Sequence, residues 1–200
     1  MARPAGRGLE RQRQQEAEAR EAAKAAAGRK RGIVIALISV TVVAVAVVII
    51  AIQPPPPGVA FADMGNQHIA AGEAHVPYNS SPPSSGPHLG SLASWGEAAQ
   101  PVPPELMVHN LEDGGVVLAY DCPAGCEEFL SGLQEVLGDY AARRVLLTPY
   151  SGIVDPAGQV HLGAAVAWTR VLYFDSLAGR EGRQVRSFIN LYEGIDHHVG

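Results

Sequence analysis

Residues 33–52 form a continuous apolar run, and this run constrains the fold more than any other part of the chain. Only Ser39 and Thr41 are polar within it. At about 1.5 Å per residue, a helix of this length spans the roughly 30 Å hydrocarbon core of a bilayer. A secretory signal is the closest alternative, but its apolar region is usually about 7 to 15 residues long and ends at small residues. The run therefore predicts a single transmembrane helix, with bounds at 32–53.

The charges on either side of the run predict its orientation. Residues 1–31 carry nine Lys and Arg against four Glu, a net charge of +5, whereas the rest of the chain carries six Arg against sixteen Asp and Glu, a net charge of −10. Because basic flanks stay in the cytoplasm, residues 29–31 predict a cytoplasmic N-terminus. We expect a single-pass protein of the cell membrane, with the lipid bilayer as its partner through residues 33–52. The acidic outer part argues against nucleic acid as a partner.

Proline marks the boundary between the membrane segment and an outer domain. Residues 54–57 are four consecutive prolines, which end a helix and keep the following chain extended. We therefore divide the chain into a basic cytoplasmic arm (1–31), the transmembrane helix, a proline-rich spacer (54–58) and an extracytoplasmic domain (59–200). The first part of that domain, 59–104, is rich in Gly, Pro, Ser and Asn, which predicts loops.

Periodic apolar residues in the second half of the chain predict a small α/β domain. Short β-branched runs predict strands at 115–120 and 145–147, and helical spacing predicts helices at 124–139 and 181–193. Residues 162–173 predict one long strand, or two strands joined tightly. This order of elements is typical of an α/β sandwich and is compatible with a reduced thioredoxin-like fold.

Histidine and acidic residues accumulate in two stretches of the outer domain, 75–88 and 107–115. Imidazole is the commonest ligand of transition metals, and thioether suits Cu(I). Proline beside a loop histidine lowers the entropy cost of holding it in place. We therefore predict that both stretches contribute to one polar site that binds copper or zinc. Its candidate ligands are His75, His88, Met107, His109, Glu112 and Asp113.

The first stretch also has a purely structural interpretation. Its histidines would then satisfy buried backbone groups, and its prolines would only fix a tight turn. The residues expected to support the loop are Tyr78, Pro83, Gly86 and Pro87. Two further histidines, His68 and His161, stand alone and receive no predicted role. His197 and His198 would reach a metal only if the tail folded back, and we expect a frayed, exposed end instead.

Cys122 and Cys126 are the only cysteines of the chain, and they lie between a predicted strand and a predicted helix. In an outward-facing domain we expect a local structural disulfide, which needs Cα atoms about 4.4 to 6.8 Å apart. The alternatives are redox-active or copper-binding thiols, whose pKa a helix N-terminus lowers, and free inert thiols. The C-P-x-x-C spacing after a strand resembles that of the copper-delivering Sco proteins, a resemblance that implies the copper alternative.

A series of motifs follows in a fixed order along the outer domain. They are His75 with Tyr78, PPSSGPH (82–88), Trp95-Gly96, HNLEDGGVV (109–117) and AWTR (167–170). Together they resemble a bacterial family known as domain of unknown function 3105, over a region from about Phe61 to Glu193. The resemblance implies a membrane-anchored or secreted bacterial protein and brings no established activity with it.

This chain departs from the family at one position. The family typically shows H-x-L-E-H-G, whereas this chain has Asp113 in place of the second histidine. If that histidine is a metal ligand in relatives, Asp113 replaces it with an oxygen donor. A carboxylate is a harder ligand, so the change shifts the preference away from Cu(I) and toward zinc or manganese.

Sequence motifs of catalysis are missing. Ser84 and Ser85 lie near histidines, but G-x-S-x-G is absent and no Ser–His–Asp pattern is present, so the sequence leaves open whether the protein is an enzyme and favours a non-catalytic role. Metal binding at the outer face is the first expected function. The alternative is a non-catalytic interaction module of the cell envelope, in which the loop docks a protein or glycan partner and the cysteines form a structural disulfide.

Overall fold

The computed structural model describes residues 37–48, 55–122 and 125–198, with single positions at 13, 16, 18, 20, 21, 24, 29 and 31. The chain separates into two compact units, Met1–Pro55 and Pro56–Gly200. The elements of the second unit carry the polar sites, and most of the description below concerns them.

In the first unit, residues 37–48 are helical, and the Thr41 hydroxyl donates a hydrogen bond to the Leu37 carbonyl oxygen at 2.9 Å. Within the described part of the chain, no helix has both the length and the apolar character needed to cross a membrane. The predicted transmembrane helix is thus unsupported by the structure, although 32–36 and 49–53 of it lie outside the described residues. Most of the predicted basic arm, 1–31, also lies outside them.

The described residues of the second unit form eight strands and three helices. The strands are β1 (Val59–Ala60), β2 (His68–Ile69), β3 (His88–Leu89), β4 (Gly96–Glu97), β5 (Val116–Tyr120), β6 (Val145–Pro149), β7 (Gly163–Ala167) and β8 (Arg170–Phe174). The helices are α1 (Pro104–Glu112), α2 (Glu127–Asp139) and α3 (Gly179–Tyr192).

Six of the strands form one mixed sheet in the order β1-β8-β7-β5-β6-β4. β5 and β6 are parallel and joined through α2, β4 is parallel to β6, and β7 is antiparallel to both β5 and β8. Of the two alternatives predicted for 162–173, the structure has the second: two strands joined by a tight turn in which Thr169 has a φ of 58°. The mixed α/β class predicted from the sequence is confirmed.

Helices cover both faces of the sheet. Alternate residues of β5 point to opposite faces, and Val116 and Leu118 pack with the apolar residues of α2 and α3. Val117 and Ala119 pack instead with Met107, Val108 and Leu111 of α1. The site described below lies at the end of α1, on the face opposite α2 and α3.

The stretch 107–115, which lies outside the helices predicted from the sequence, is mostly helix. Pro104 occupies the first turn of α1, where proline is tolerated because the amide donor that it lacks has no partner there. Gly114 follows the C-cap residue Asp113 with a φ of 76°, a conformation that glycine adopts without a steric penalty. The sequence did not indicate this helix because α1 is short and two prolines, the N-cap residue Pro103 and the first helical residue Pro104, stand at its start.

Candidate metal centre

A buried carboxylate lies at the centre of a group of histidines. The Glu112 side chain is almost completely buried. Its Oε2 atom lies 2.9 Å from His88 Nε2 and 3.4 Å from His68 Nε2. The same oxygen lies 3.6 Å from His109 Nδ1. One ligand atom from each of these four residues, here called the His-Glu cluster, lies within 4.8 Å of every other.

Three short elements, a pair of strands and a helix, bring the four residues together. β2 and β3 form a parallel pair in which His68 is the register partner of His88, and their ring centroids are 4.9 Å apart. His109 and Glu112 are three residues apart on α1, so they share one face of the helix. The cluster therefore combines a strand pair that contributes two imidazoles with a helix that contributes an imidazole and a carboxylate.

The hydrogen bonding of His88 directs one ring nitrogen at the carboxylate. His88 Nδ1 lies 2.8 Å from the Gly86 carbonyl oxygen. Because a carbonyl oxygen only accepts, Nδ1 carries the hydrogen and donates it. In the neutral ring, Nε2 then presents a lone pair to Glu112 Oε2, which is also an acceptor. A cation is needed between two acceptors 2.9 Å apart, and either a proton or a metal ion meets that need. A ring N–H donated to a backbone carbonyl is also the usual second contact of a metal-ligating histidine.

His109 Nδ1 is buried and lacks a hydrogen-bond partner among the described residues. Burial lowers the pKa of His109, more than the nearby Asp113 raises it. The neutral imidazole is thus favoured, with an unshared lone pair available to a ligand. Buried polar atoms are nearly always paired, so this atom marks an incomplete site.

The Glu112 carboxylate remains charged in spite of its burial. Burial raises its pKa, but the hydrogen bond that His88 donates when its Nε2 is protonated, with those from Asn66 and His68, outweighs that effect, and the net pKa is lowered. The cluster therefore offers one negative charge and three imidazoles, a donor set that suits a divalent cation.

The spacing of the donors fits a metal ion. Two ligand atoms at about 2.0–2.1 Å from a tetrahedral zinc ion lie about 3.3–3.4 Å from one another. The distances from Glu112 Oε2 to the three histidines, 2.9, 3.4 and 3.6 Å, bracket that value. The four ligand atoms lie within 4.8 Å of one another, so side-chain adjustments would bring all four to bonding distance of one ion.

Comparison with known proteins identifies the family. A family model described as "Protein of unknown function (DUF3105)" matches residues 68–198. The chain belongs to the DUF3105 family. The match contains every member of the His-Glu cluster. No curated protein and no solved structure matches the chain.

The DUF3105 domain brings together some of the predicted ligands and separates others. His88, His109 and Glu112 all belong to the His-Glu cluster. His75 lies elsewhere, with Nδ1 at 2.7 Å from the Val76 carbonyl oxygen and Nε2 at 3.5 Å from a Glu105 oxygen.

The remaining two predicted ligands also lie outside the cluster. Met107 is fully buried in the apolar packing between α1 and the sheet. Asp113 is the C-cap residue of α1, and its Oδ1 lies 3.5 Å from His198 Nε2. The cluster consequently offers nitrogen and oxygen donors and no thioether.

Two of the four predicted support residues of the 75–88 loop, Tyr78 and Gly86, contact the segment around His88. The Tyr78 hydroxyl donates a hydrogen bond to the Pro87 carbonyl oxygen at 2.6 Å. Gly86 has a φ of 122°, and a Cβ there would lie 3.2 Å from the Tyr78 ring. Pro83, Gly86 and Pro87 are all buried. Ser84 and Ser85 are also fully buried, and neither belongs to the His-Glu cluster.

His68 is the cluster member that the sequence did not indicate. It contributes only through β2, a strand of two residues, and an element this short has no detectable periodicity. The sequence signal available for His68 is only that it is a histidine a few residues before the histidine-containing loop 75–88.

A disulfide joins Cys122 and Cys126, whose Cα atoms are 5.7 Å apart. It links the end of β5 to Cys126, the N-cap residue of α2. Of the three alternatives left open by the sequence, the structure contains the disulfide. Neither sulfur belongs to the His-Glu cluster.

Proposed function

We propose that the DUF3105 domain binds one divalent transition-metal ion through His68, His88, His109 and Glu112. The observation that supports this most strongly is the convergence of three imidazole nitrogens on a single buried carboxylate oxygen. Burial of a carboxylate is costly unless it is paired or coordinates a metal. The unpartnered Nδ1 of His109 and the donation from His88 to Gly86 support the same proposal.

The donor set favours zinc or Cu(II) as the ion. Imidazole suits zinc, copper, iron and nickel, whereas Cu(I) prefers thiolate and thioether. Met107 is packed in the apolar core and the two cysteines are joined to each other, so soft ligands are absent from the His-Glu cluster. We propose zinc first and Cu(II) second.

We also propose that the domain faces an oxidising compartment as part of a membrane-anchored protein. The disulfide supports this because disulfides persist mainly outside the cytosol. The basic segment 1–31 followed by the apolar run 33–52 supports it from the sequence. The order β8-β7-β5-β6, with α2 between β5 and β6 and α3 after β8, supports a thioredoxin-like interpretation of the sheet.

Metal content and Zn²⁺ affinity of the purified full-length protein test the proposal. We expect one Zn²⁺ per chain and competition with a chelator of known affinity. His88→Ala and His109→Ala each remove a direct ligand. Loss of an outer-shell partner already costs about 10- to 100-fold in affinity, so each ligand variant should cost at least about 100-fold.

His75→Ala is the matched control. His75 lies in the same loop as His88 but pairs with Glu105 rather than with the cluster, so its removal should change Zn²⁺ affinity less than threefold, or about 0.6 kcal/mol. A wild-type protein that binds neither Zn²⁺ nor Cu²⁺ would overturn the proposal. The cluster would then be a polar network, and the interaction module would become the leading alternative.

A further inference from the structure

The C-terminal tail, residues 194–198, is docked beside the His-Glu cluster. The Gly194 amide donates to the Gly114 carbonyl oxygen at 2.7 Å, and the His197 amide donates to the Glu112 carbonyl oxygen at 2.9 Å. Carbonyl groups in the last turn of a helix lack partners within the helix. The tail satisfies one of them at the end of α1, so the frayed end expected from the sequence is wrong.

Gly114 permits the close approach of the tail. A Cβ at this position would lie 2.7 Å from the Ile195 carbonyl oxygen and 2.8 Å from its carbonyl carbon. Any other residue would force the two backbone segments apart. The sequence at the end of α1 is therefore compatible with a tail that packs directly on it.

The two histidines of the tail have different surroundings. The His197 ring stacks on Trp168, with centroids 5.6 Å apart and an interplanar angle of 17°. The His198 ring instead turns toward the cluster, where its Nε2 lies 3.4 Å from Glu112 Oε2 and 3.5 Å from Asp113 Oδ1. The first histidine anchors the tail, and the second presents a nitrogen to the buried carboxylate.

Asp196 fixes the orientation of the His198 ring. Its Oδ1 lies 2.7 Å from His198 Nδ1 and accepts a hydrogen bond from the His198 amide at 2.9 Å. A carboxylate at this contact accepts, so Nδ1 carries the hydrogen and Nε2 is the atom aimed at Glu112. A carboxylate that holds a histidine in this way is a common outer contact of metal ligands. His88 is oriented in the same manner by the Gly86 carbonyl.

We propose that His198 is a further ligand of the metal and that the docked tail closes the site over the bound metal. This inference rests on the proposed function. His198 Nε2 is as close to Glu112 Oε2 as His68 Nε2 is, at 3.4 Å in both cases. The His-Glu cluster with His198 supplies five donors, one more than a structural zinc ion usually takes. In the docked tail, His198 therefore takes the coordination position on the metal that an external ligand would otherwise fill.

Zn²⁺ affinity of the full-length protein is the first test, with His198→Ala compared to Ile195→Ala. Both residues belong to the tail, but the Ile195 side chain is exposed and only His198 points into the cluster, so Ile195→Ala is a matched control. We expect His198→Ala to raise the dissociation constant for Zn²⁺ by about 10- to 100-fold and Ile195→Ala to raise it by less than about threefold. Because His198 is exposed, its replacement should leave the fold intact, and circular dichroism of the variant checks this.

Two further measurements, Co²⁺ absorption and hydrogen exchange, distinguish a metal ligand from a residue that only packs near the metal. Co²⁺ bound to the wild-type protein should show the weaker visible absorption of a five-coordinate ion, and His198→Ala should show stronger absorption, typical of four ligands. In hydrogen exchange, Zn²⁺ should slow the exchange of the tail amides in the wild type and leave them unchanged in His198→Ala.

The outcomes distinguish this inference from the proposed function. Stoichiometric Zn²⁺ that is lost in His88→Ala, together with an unchanged affinity and Co²⁺ spectrum in His198→Ala, would overturn only the role of the tail. A wild-type protein without metal affinity would overturn both. Tail amides that exchange at the same rate with and without Zn²⁺ would contradict the closure of the site.

Discussion

At the scale of single residues, burial determines the chemistry of the polar groups. Glu112 keeps a lowered pKa inside the fold because imidazole and amide groups face it. Without those partners its charge would be strongly destabilising. Tyr173 shows the opposite case: its hydroxyl is buried and has no hydrogen-bond partner among the described residues.

Tyr173→Phe should not destabilise the protein at pH 7 and should protect it at high pH. An unsatisfied buried hydroxyl costs about 1–3 kcal/mol, and the substitution removes it. Burial, with smaller contributions from Asp155 and Tyr150, raises the pKa of Tyr173 to about 12. The phenol of the unfolded chain ionises near its ordinary value of about 10, so stability present below pH 10 is lost as the pH rises toward 12. Tyr173→Phe should lose less of its free energy of unfolding over that range, as measured by urea unfolding between pH 7 and 11.

Tyr140→Phe serves as the control for this prediction. The Tyr140 hydroxyl donates to the Arg186 carbonyl oxygen at 3.2 Å, so its removal should lower stability at pH 7 by about 1 kcal/mol. Equal destabilisation by both substitutions would show that the Tyr173 hydroxyl has a partner in solution.

At the scale of elements, α1 connects the sheet to the candidate site. Its apolar residues pack on β5 and its neighbours, while His109 and Glu112 lie on the face toward β2 and β3. Asn110, between them in sequence, is fully buried and fixes the position of the helix. Its side chain accepts from the Ala93 amide and donates to the Ala93 carbonyl oxygen, at 2.9 Å in each case.

Asn110→Ala should lower the free energy of unfolding by about 2 kcal/mol, because it removes both hydrogen bonds to Ala93 and leaves the backbone groups without their partner. Urea unfolding measures the loss. Asn79→Ala is the control, since the exposed Asn79 makes one hydrogen bond, to the Ala62 carbonyl oxygen, and should cost less than about 1 kcal/mol. A similar cost for both would mean that the Asn110 pair does not hold α1 in place.

At the scale of the whole molecule, the candidate site joins distant parts of the chain. The cluster residues extend from His68 to Glu112, and the tail adds His198 from near the other end of the domain. An unfolded chain keeps these groups apart and offers no preformed site. Binding energy at such a site therefore stabilises the folded domain as a unit.

Added Zn²⁺ should stabilise the full-length protein by mass action. At a free concentration 100-fold above the dissociation constant, the free energy of unfolding should rise by about 2.7 kcal/mol, and each further tenfold should add about 1.4 kcal/mol. Urea unfolding followed by tryptophan fluorescence reports this, because Trp95 and Trp168, the only tryptophans, both lie in the second unit. His88→Ala should show no dependence on Zn²⁺ up to concentrations that saturate the wild type, and an equal response in this variant would contradict binding at the cluster.

The long periodic elements were predictable from the sequence. The predicted strand at 115–120 is β5, and the predicted helices at 124–139 and 181–193 correspond to α2 and α3 within a few residues. In these segments, several apolar side chains repeat with the period of the element, because one face of each is buried in the core. The elements that hold the site lack this signal: β2 and β3 are two residues long and α1 spans little more than two turns.

The sequence by itself determined the α/β class, the order of the main elements and the family, and it indicated His88, His109 and Glu112 as a group. Only the tertiary structure decided that His68 and His198 approach the same carboxylate while His75 and Met107 do not. The physical reason is the range of the interactions. Periodicity and turn chemistry act over a few neighbouring residues, whereas the site depends on a strand pair, a helix end and a tail that meet only when the core packs.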